Sequence, residues 1–170
     1  MICACSLGHL TPTIARTKPS HILSLLSPNQ DTPRIIESGN AQTLRLSFND
    51  IREALPNLIV PSTALIQQIV SFSRSWPAER PLLIHCWAGI SRSSAAAYII
   101  ACDRNPGYEE TIAATLRARA PFATPNSLMI TLADAFFERG GRMVEAIERI
   151  GRGADAFEGM PYTLPIAWPN

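Results

Sequence analysis

The sequence has little of what marks several common classes of protein. Only 17% of its 170 residues are charged, and 15 Lys and Arg stand against 14 Asp and Glu, a formal charge of +1. With no excess of either sign, neither nucleic acid nor a charged membrane surface is an expected partner. Long apolar runs are missing too: the longest, Ala95 to Cys102, is far too short to cross a bilayer. Met1 to Leu10 carries no basic stretch and no extended apolar core, so no secretory leader is read there and a cytoplasmic location is expected. Histidine is scarce, at three, and the four cysteines at 3, 5, 86 and 102 form no Cys-x-x-Cys pair. Metal-ligand spacing is absent, so neither a metal nor another cofactor is expected. The thiols are expected to be reduced, with Cys3, Cys5 and Cys102 read as packing residues among apolar neighbours.

What is there fits one α/β domain. Hydrophobic residues make up 46% of the chain, enough for an ordinary core without staples. Apolar runs predict strands over Ile2–Cys5, His21–Leu26, Thr43–Phe48 and Leu82–His85. Helical spacing is read over Thr11–Lys18, and over Ser62–Trp76 with Ser62 as N-cap and Pro77 as stop. After Cys86 the pattern is helical throughout: Ser93–Asp103, Tyr108–Arg119, Asn126–Glu138 and Gly141–Ile150. Strands interleaved with helices predict a central, mostly parallel sheet of four to five strands flanked by helices. Residues 1–150 read as a single domain. Residues 151–170, with several Gly and Pro, read as an irregular tail packed on it and anchored by Phe157, Tyr162 and Trp168. The sequence leaves the oligomeric state open.

The informative stretch is His85-Cys86-Trp87-Ala88-Gly89-Ile90-Ser91-Arg92-Ser93, which joins an apolar strand to a helix through a short loop. A tight loop at a helix N-terminus points main-chain N–H groups inward, and the helix dipole adds positive charge. Gly89 permits backbone conformations other residues resist. Arg92 offers a planar fork suited to two phosphate oxygens. The result is an anion cradle with the Cys86 thiol at its floor, where the same field favours thiolate and hence a nucleophile.

The residues His85-Cys86-x-x-Gly89-x-x-Arg92-Ser93 resemble the signature of the cysteine-dependent protein tyrosine phosphatases, and Ala88 and Ser91 match its small dual-specificity branch. The resemblance implies a phosphatase-like three-layer sandwich and hydrolysis of phosphomonoesters through a cysteinyl-phosphate intermediate. It implies that Trp87 to Arg92 bind the substrate, with the Trp87 ring either against substrate aromatics at the rim or packed beneath the loop, that His85 bonds near the Cys86 main chain or thiolate, and that Ser93 donates to the departing sulfur. Ser93 also reads as a helix cap. The implied partner is a phosphorylated protein or a small phosphomonoester. The segment Arg119 to Asn126, ending in Pro125-Asn126, resembles the part of the family that packs behind the phosphate loop.

The family also uses an aspartic acid on an upstream loop to protonate the leaving group. Asp50, 36 residues before Cys86 and just past a predicted strand, is the candidate, with Asp31 second and an ion pair with Arg52 as the bland alternative. Asp103 and Asp134 belong to later helices and are expected to face solvent. Trp76-Pro77 is followed by Ala78, so the Trp-Pro-Asp lid of larger tyrosine phosphatases is absent. Lysine is missing from the loop interior, which counts against a phosphoinositide specialist. Two other readings stand beside a phosphatase for phosphotyrosine, with phosphoserine or phosphothreonine as further substrates: a catalytically weak phosphate-binding interaction module, and a sulfurtransferase.

Overall fold

A computed structural model of the chain describes residues 1–31 and 40–168. The strands β1 (Ile2–Ser6), β2 (His21–Leu26) and β4 (Leu82–Cys86) are buried along their whole length. Burial on both faces is why their apolar residues run on without alternation. β3 (Gln42–Ser47) lies at an edge and is mostly exposed. The sheet order is β3-β2-β4-β1-β5, parallel throughout except for β5 (Tyr162–Leu164), which runs antiparallel to β1.

Side chains alternate across a strand, and the core divides accordingly. Ile2, Ala4, Leu23, Leu25, Leu82, Ile84 and Cys86 share one cluster with the helices α2 (Thr63–Ser75), α3 (Arg92–Arg104), α4 (Glu109–Arg119), α5 (Ser127–Phe136) and α6 (Arg142–Ile150). Cys3, Cys5, Ile22 and Leu83 face the other way, onto Leu10 and Ile14 of α1 (Leu10–Thr17). The molecule is therefore the three-layer α/β sandwich that the sequence predicts. α3, which starts at the loop after β4, is buried from Arg92 to Cys102. Ser62 caps α2 by accepting from Leu65 N at 3.3 Å.

Two aspartates differ from their expected exposure because each has a structural partner. Asp103 takes a two-pronged bond from Arg74 at 2.7 and 3.0 Å. Asp134 is buried and accepts from the main-chain N–H groups of Gly141 and Met143 at 2.7 and 2.9 Å, holding the turn into α6. Trp76 is buried, donates its indole N–H to the Arg80 carbonyl at 2.7 Å and lies under the Arg104 guanidinium.

The segment after α6 is more regular than its composition suggests. Tyr162 is buried in β5, and Trp168 packs on the main core. Phe157, by contrast, is 83% exposed and anchors nothing. Its neighbours stitch the segment down: Ala154 N donates to the Pro121 carbonyl at 2.9 Å and Gly159 N to the Ala88 carbonyl at 2.8 Å. Positions 169 and 170 of the tail lie outside the described residues. Among the described residues no helix is long and apolar enough to cross a membrane, and no three metal-ligating side chains cluster.

Candidate active site

The carboxyl ends of four parallel strands meet at one rim, where open α/β sheets place their ligands. Ser6 ends β1, Ser27 follows β2, Phe48 follows β3 and Cys86 ends β4 at the centre of the sheet. The chain then curls from Cys86 to Ser91 and enters α3. Gly89 makes the curl possible: its φ is +72°, and a Cβ there would lie 2.6 Å from Ser6 N and 2.9 Å from the Cys5 carbonyl carbon. Both the backbone angle and the close approach to β1 require glycine.

Inside the curl, Gly89 N donates to Cys86 Sγ at 3.2 Å, and Ser93 Oγ lies 3.2 Å from the same sulfur. Cys86 itself is 2% exposed. No side chain caps α3, so its first N–H groups remain available at the loop, with the positive end of the helix dipole. The Ser91 hydroxyl turns away from the cap position and donates to Asp50 Oδ1 at 2.8 Å.

Arg92 is 4% exposed and rigidly held. One terminal nitrogen donates to the Phe48 carbonyl at 2.8 Å and to Ser27 Oγ at 3.2 Å, and the guanidinium lies 5.7 Å over the Phe48 ring. Its Nε is buried without a hydrogen-bond partner, 4.0 Å from Asp50 Oδ2. An unsatisfied buried donor is costly and calls for an acceptor that a ligand can supply.

Asp50 is fixed from behind. Asn126 Nδ2 donates to Asp50 Oδ1 at 2.7 Å and to the Ile51 carbonyl at 3.2 Å, while Asn126 Oδ1 caps α5 through Met129 N at 3.0 Å. The loop carrying Asp50 is closed at its base, where Asn49 N donates to the Ile59 carbonyl and Asn49 Oδ1 accepts from Ile59 N, at 2.8 and 2.9 Å. Asp50, Cys86, Arg92, Ser91, Trp87 and Ser27 border one cavity of about 440 Å³, with Ala88, Ile90 and Phe157 also at its edge. Trp87 stands at the mouth, 47% exposed, instead of packing beneath the loop. The exposed Asp31 is not among the residues that border this cavity. Asp50 makes its ion pair with Arg92, and no bond to Arg52 joins it among the described residues.

His85 faces away from the Cys86 thiol and reaches only the Cys86 main chain, through a weak contact. It shares its face of β4 with Leu83, opposite Cys86, and neither ring nitrogen has a hydrogen-bond partner of ordinary geometry. Burial lowers its pKa to about 4; a weak main-chain contact with Cys86 opposes this and the Arg92 charge adds to it. The imidazole is thus neutral at physiological pH. A protein with such a histidine loses stability on acidification, because below pH 6.5 the unfolded chain takes up a proton that the folded chain refuses until about pH 4. Between those values the loss due to His85 is on the order of 3 kcal/mol. Urea unfolding at pH 7 and pH 4 should therefore show wild type losing roughly that amount more stability on acidification than His85→Leu. Parallel curves would refute the assignment.

The remaining thiols have no such setting. Burial pushes the Cys5 thiol up to about 12 and raises those of Cys3 and Cys102. Sequence reasoning missed Ser27, Asn126 as a support for Asp50, and Phe157. The convergence of strand ends on one rim was a signal for Ser27 and Pro125-Asn126 before a helix one for Asn126; nothing in the sequence pointed to Phe157.

A thiol, a buried guanidinium and the uncapped start of a helix surround one hollow, a donor set whose geometry and charge match a tetrahedral oxyanion, with a carboxyl group at its edge. The architecture that carries it is that of the dual-specificity phosphatases. The structure of DUSP15 matches with a TM-score of 0.62 at 17% identity, covering 88% of this chain and 89% of that one. PTPMT1 in complex with PI(5)P matches with a TM-score of 0.62 at 16% identity over 86% and 94%. The human tyrosine phosphatase-like serine/threonine/tyrosine-interacting protein matches with a TM-score of 0.59 at 18% identity over 80% and 87%. At these identities the likeness is one of fold. No family model matches the chain, and no curated protein matches its sequence.

Proposed function

We propose that this protein is a phosphatase that hydrolyses phosphomonoesters, phosphotyrosine on proteins foremost, through a phosphocysteine. The observation that carries the reading is the shared cavity: Cys86, Arg92 and Asp50 all border it, and the buried Nε of Arg92, 4.0 Å from Asp50 Oδ2, makes no hydrogen bond. In the first step the Cys86 sulfur attacks phosphorus while the bond to the leaving oxygen breaks. Arg92 and the loop N–H groups hold the three equatorial oxygens, whose charge they match. The Asp50 carboxylic acid gives its proton to the leaving oxygen. In the second step water attacks phosphorus and passes a proton to the Asp50 carboxylate. The phosphorus–sulfur bond breaks, and the Ser93 hydroxyl donates to the departing thiolate.

Substrate class follows from the walls. The loop interior offers Trp87, Ala88 and Ile90 but no lysine, which supplies nothing for the further phosphates of an inositol lipid. The aromatic rim of Trp87 and Phe157 suits the ring of phosphotyrosine. Purified protein in EDTA should hydrolyse p-nitrophenyl phosphate and a phosphotyrosine peptide at rates EDTA does not change. Binding of phosphopeptide without turnover would make the protein an interaction module, and thiosulfate turnover without phosphatase activity would make it a sulfurtransferase.

A further inference from the structure

A second cavity, of about 310 Å³, opens on the far side of Trp87. Leu7, Gly8, Trp87, Ala88, Phe157 and Glu158 line it. Three of these, Trp87, Ala88 and Phe157, also border the cavity that holds Cys86. The two hollows are therefore neighbours, separated by an edge-to-face pair of rings whose centroids are 5.6 Å apart. Both rings are left open to solvent, at 47% and 83% exposure. Two exposed large aromatic side chains in contact at the mouth of a site mark a contact surface for a ligand.

The one charged group lining this second cavity is Glu158, and its carboxylate is held in place. Ser6 Oγ, fully buried, donates to Glu158 Oε1 at 2.6 Å and in turn accepts from His9 Nδ1 at 2.9 Å and from His9 N at 3.2 Å. The His9 ring lies 3.7 Å from the same Oε1. No hydrogen bond among the described residues reaches Oε2. Gly8 is what lets the carboxylate sit here, since a Cβ at that position would collide with Oε1. The segment that brings Phe157 and Glu158 to this place is pinned by Gly159 N on the Ala88 carbonyl at 2.8 Å. A Cβ at position 159 would in turn lie 2.9 Å from the Gly89 carbonyl oxygen.

Aromatic walls with a carboxylate whose second oxygen is free recognise an organic cation, through ring faces and an ion pair together. We infer that the cavity of Leu7, Trp87, Phe157 and Glu158 is a specificity subsite for a basic side chain, arginine or lysine, next to the phosphorylated residue of the substrate. This rests on the phosphatase reading of the neighbouring cavity. A peptide is the fitting occupant because an extended chain sends its side chains to separate places, and two pockets stand side by side to take them.

The test uses two phosphotyrosine peptides that are identical except for Arg or Glu beside the phosphotyrosine. Wild type should favour the Arg peptide about 5- to 20-fold in kcat/KM, mostly through KM, and the ratio should shrink at high salt. Glu158→Gln keeps an acceptor for Ser6 and removes the charge, so the ratio should fall below about twofold. A wild-type ratio near one, or a ratio that Glu158→Gln leaves unchanged, overturns the subsite. Titration of the Cys86→Ser protein with both peptides, followed by Trp fluorescence, separates this claim from the activity. Preferential binding of the Arg peptide by Cys86→Ser, with no turnover of either peptide by the wild-type protein, would keep the subsite and discard the phosphatase. Turnover with no preference would do the reverse.

Discussion

Cys86→Ser leaves a folded protein that no longer turns over p-nitrophenyl phosphate. The two groups at the sulfur, Gly89 N and Ser93 Oγ, both 3.2 Å away, accommodate a hydroxyl as readily as a thiol, so the curl and Arg92 stay in place. What is lost is the nucleophile, because a serine hydroxyl here has no adjacent base: His85 lies on the opposite face of β4. The expected loss in kcat is on the order of 10⁴- to 10⁶-fold, the range over which removal of a covalent nucleophile acts. The other cysteines do not rescue it, since burial keeps Cys3, Cys5 and Cys102 as thiols. A serine variant within tenfold of wild type would transfer the chemistry elsewhere.

The second large effect belongs to Asp50. Asn retains an oxygen to accept from Ser91 and Asn126, which hold Asp50 Oδ1 at 2.8 and 2.7 Å, so Asp50→Asn should keep the loop while losing the proton and the charge opposite Arg92. Removing a general acid lowers kcat about 10²- to 10⁴-fold. The loss should be greater for phenyl phosphate than for p-nitrophenyl phosphate, because the better leaving group needs less protonation. Steady-state kinetics on both esters measures the difference. Equal losses below about tenfold would make Asp50 a structural partner of Arg92 and leave the acid unidentified.

Sequence and structure agree where a local rule is strong. The apolar runs of β1, β2 and β4 report strands buried on both faces, and Ser62 reports a cap, because each signal depends on near neighbours. The loop from Cys86 to Arg92 is legible for the same reason: Gly89 and Arg92 sit at fixed distances from Cys86 along the chain. What was hidden depends on contacts between distant segments. Asn126 reaches Asp50 across 76 positions. Ser6 reaches Glu158 across 152 positions. The resemblance leaves open whether His85 meets the Cys86 main chain or thiolate, and strand alternation, which sends the two side chains to opposite faces, leaves it only the main chain. Asp103 and Asp134 look like solvated helix charges until the partners that bury them, Arg74 and the turn into α6, are in place. Phe157 reads as an anchor in the sequence because large aromatic residues are usually buried; here the segment is pinned by main-chain bonds at Ala154 and Gly159 instead, leaving the ring exposed at the mouth.

The bond that forms between sulfur and phosphorus can be caught directly. Wild-type protein mixed with excess p-nitrophenyl phosphate and quenched within one turnover in alkaline denaturant should carry a single phosphoryl group, and peptide mass spectrometry should place it on Cys86. Release of phosphate with no phosphorylated Cys86 at any time in the turnover, or a phosphoryl group on another residue, would contradict the account.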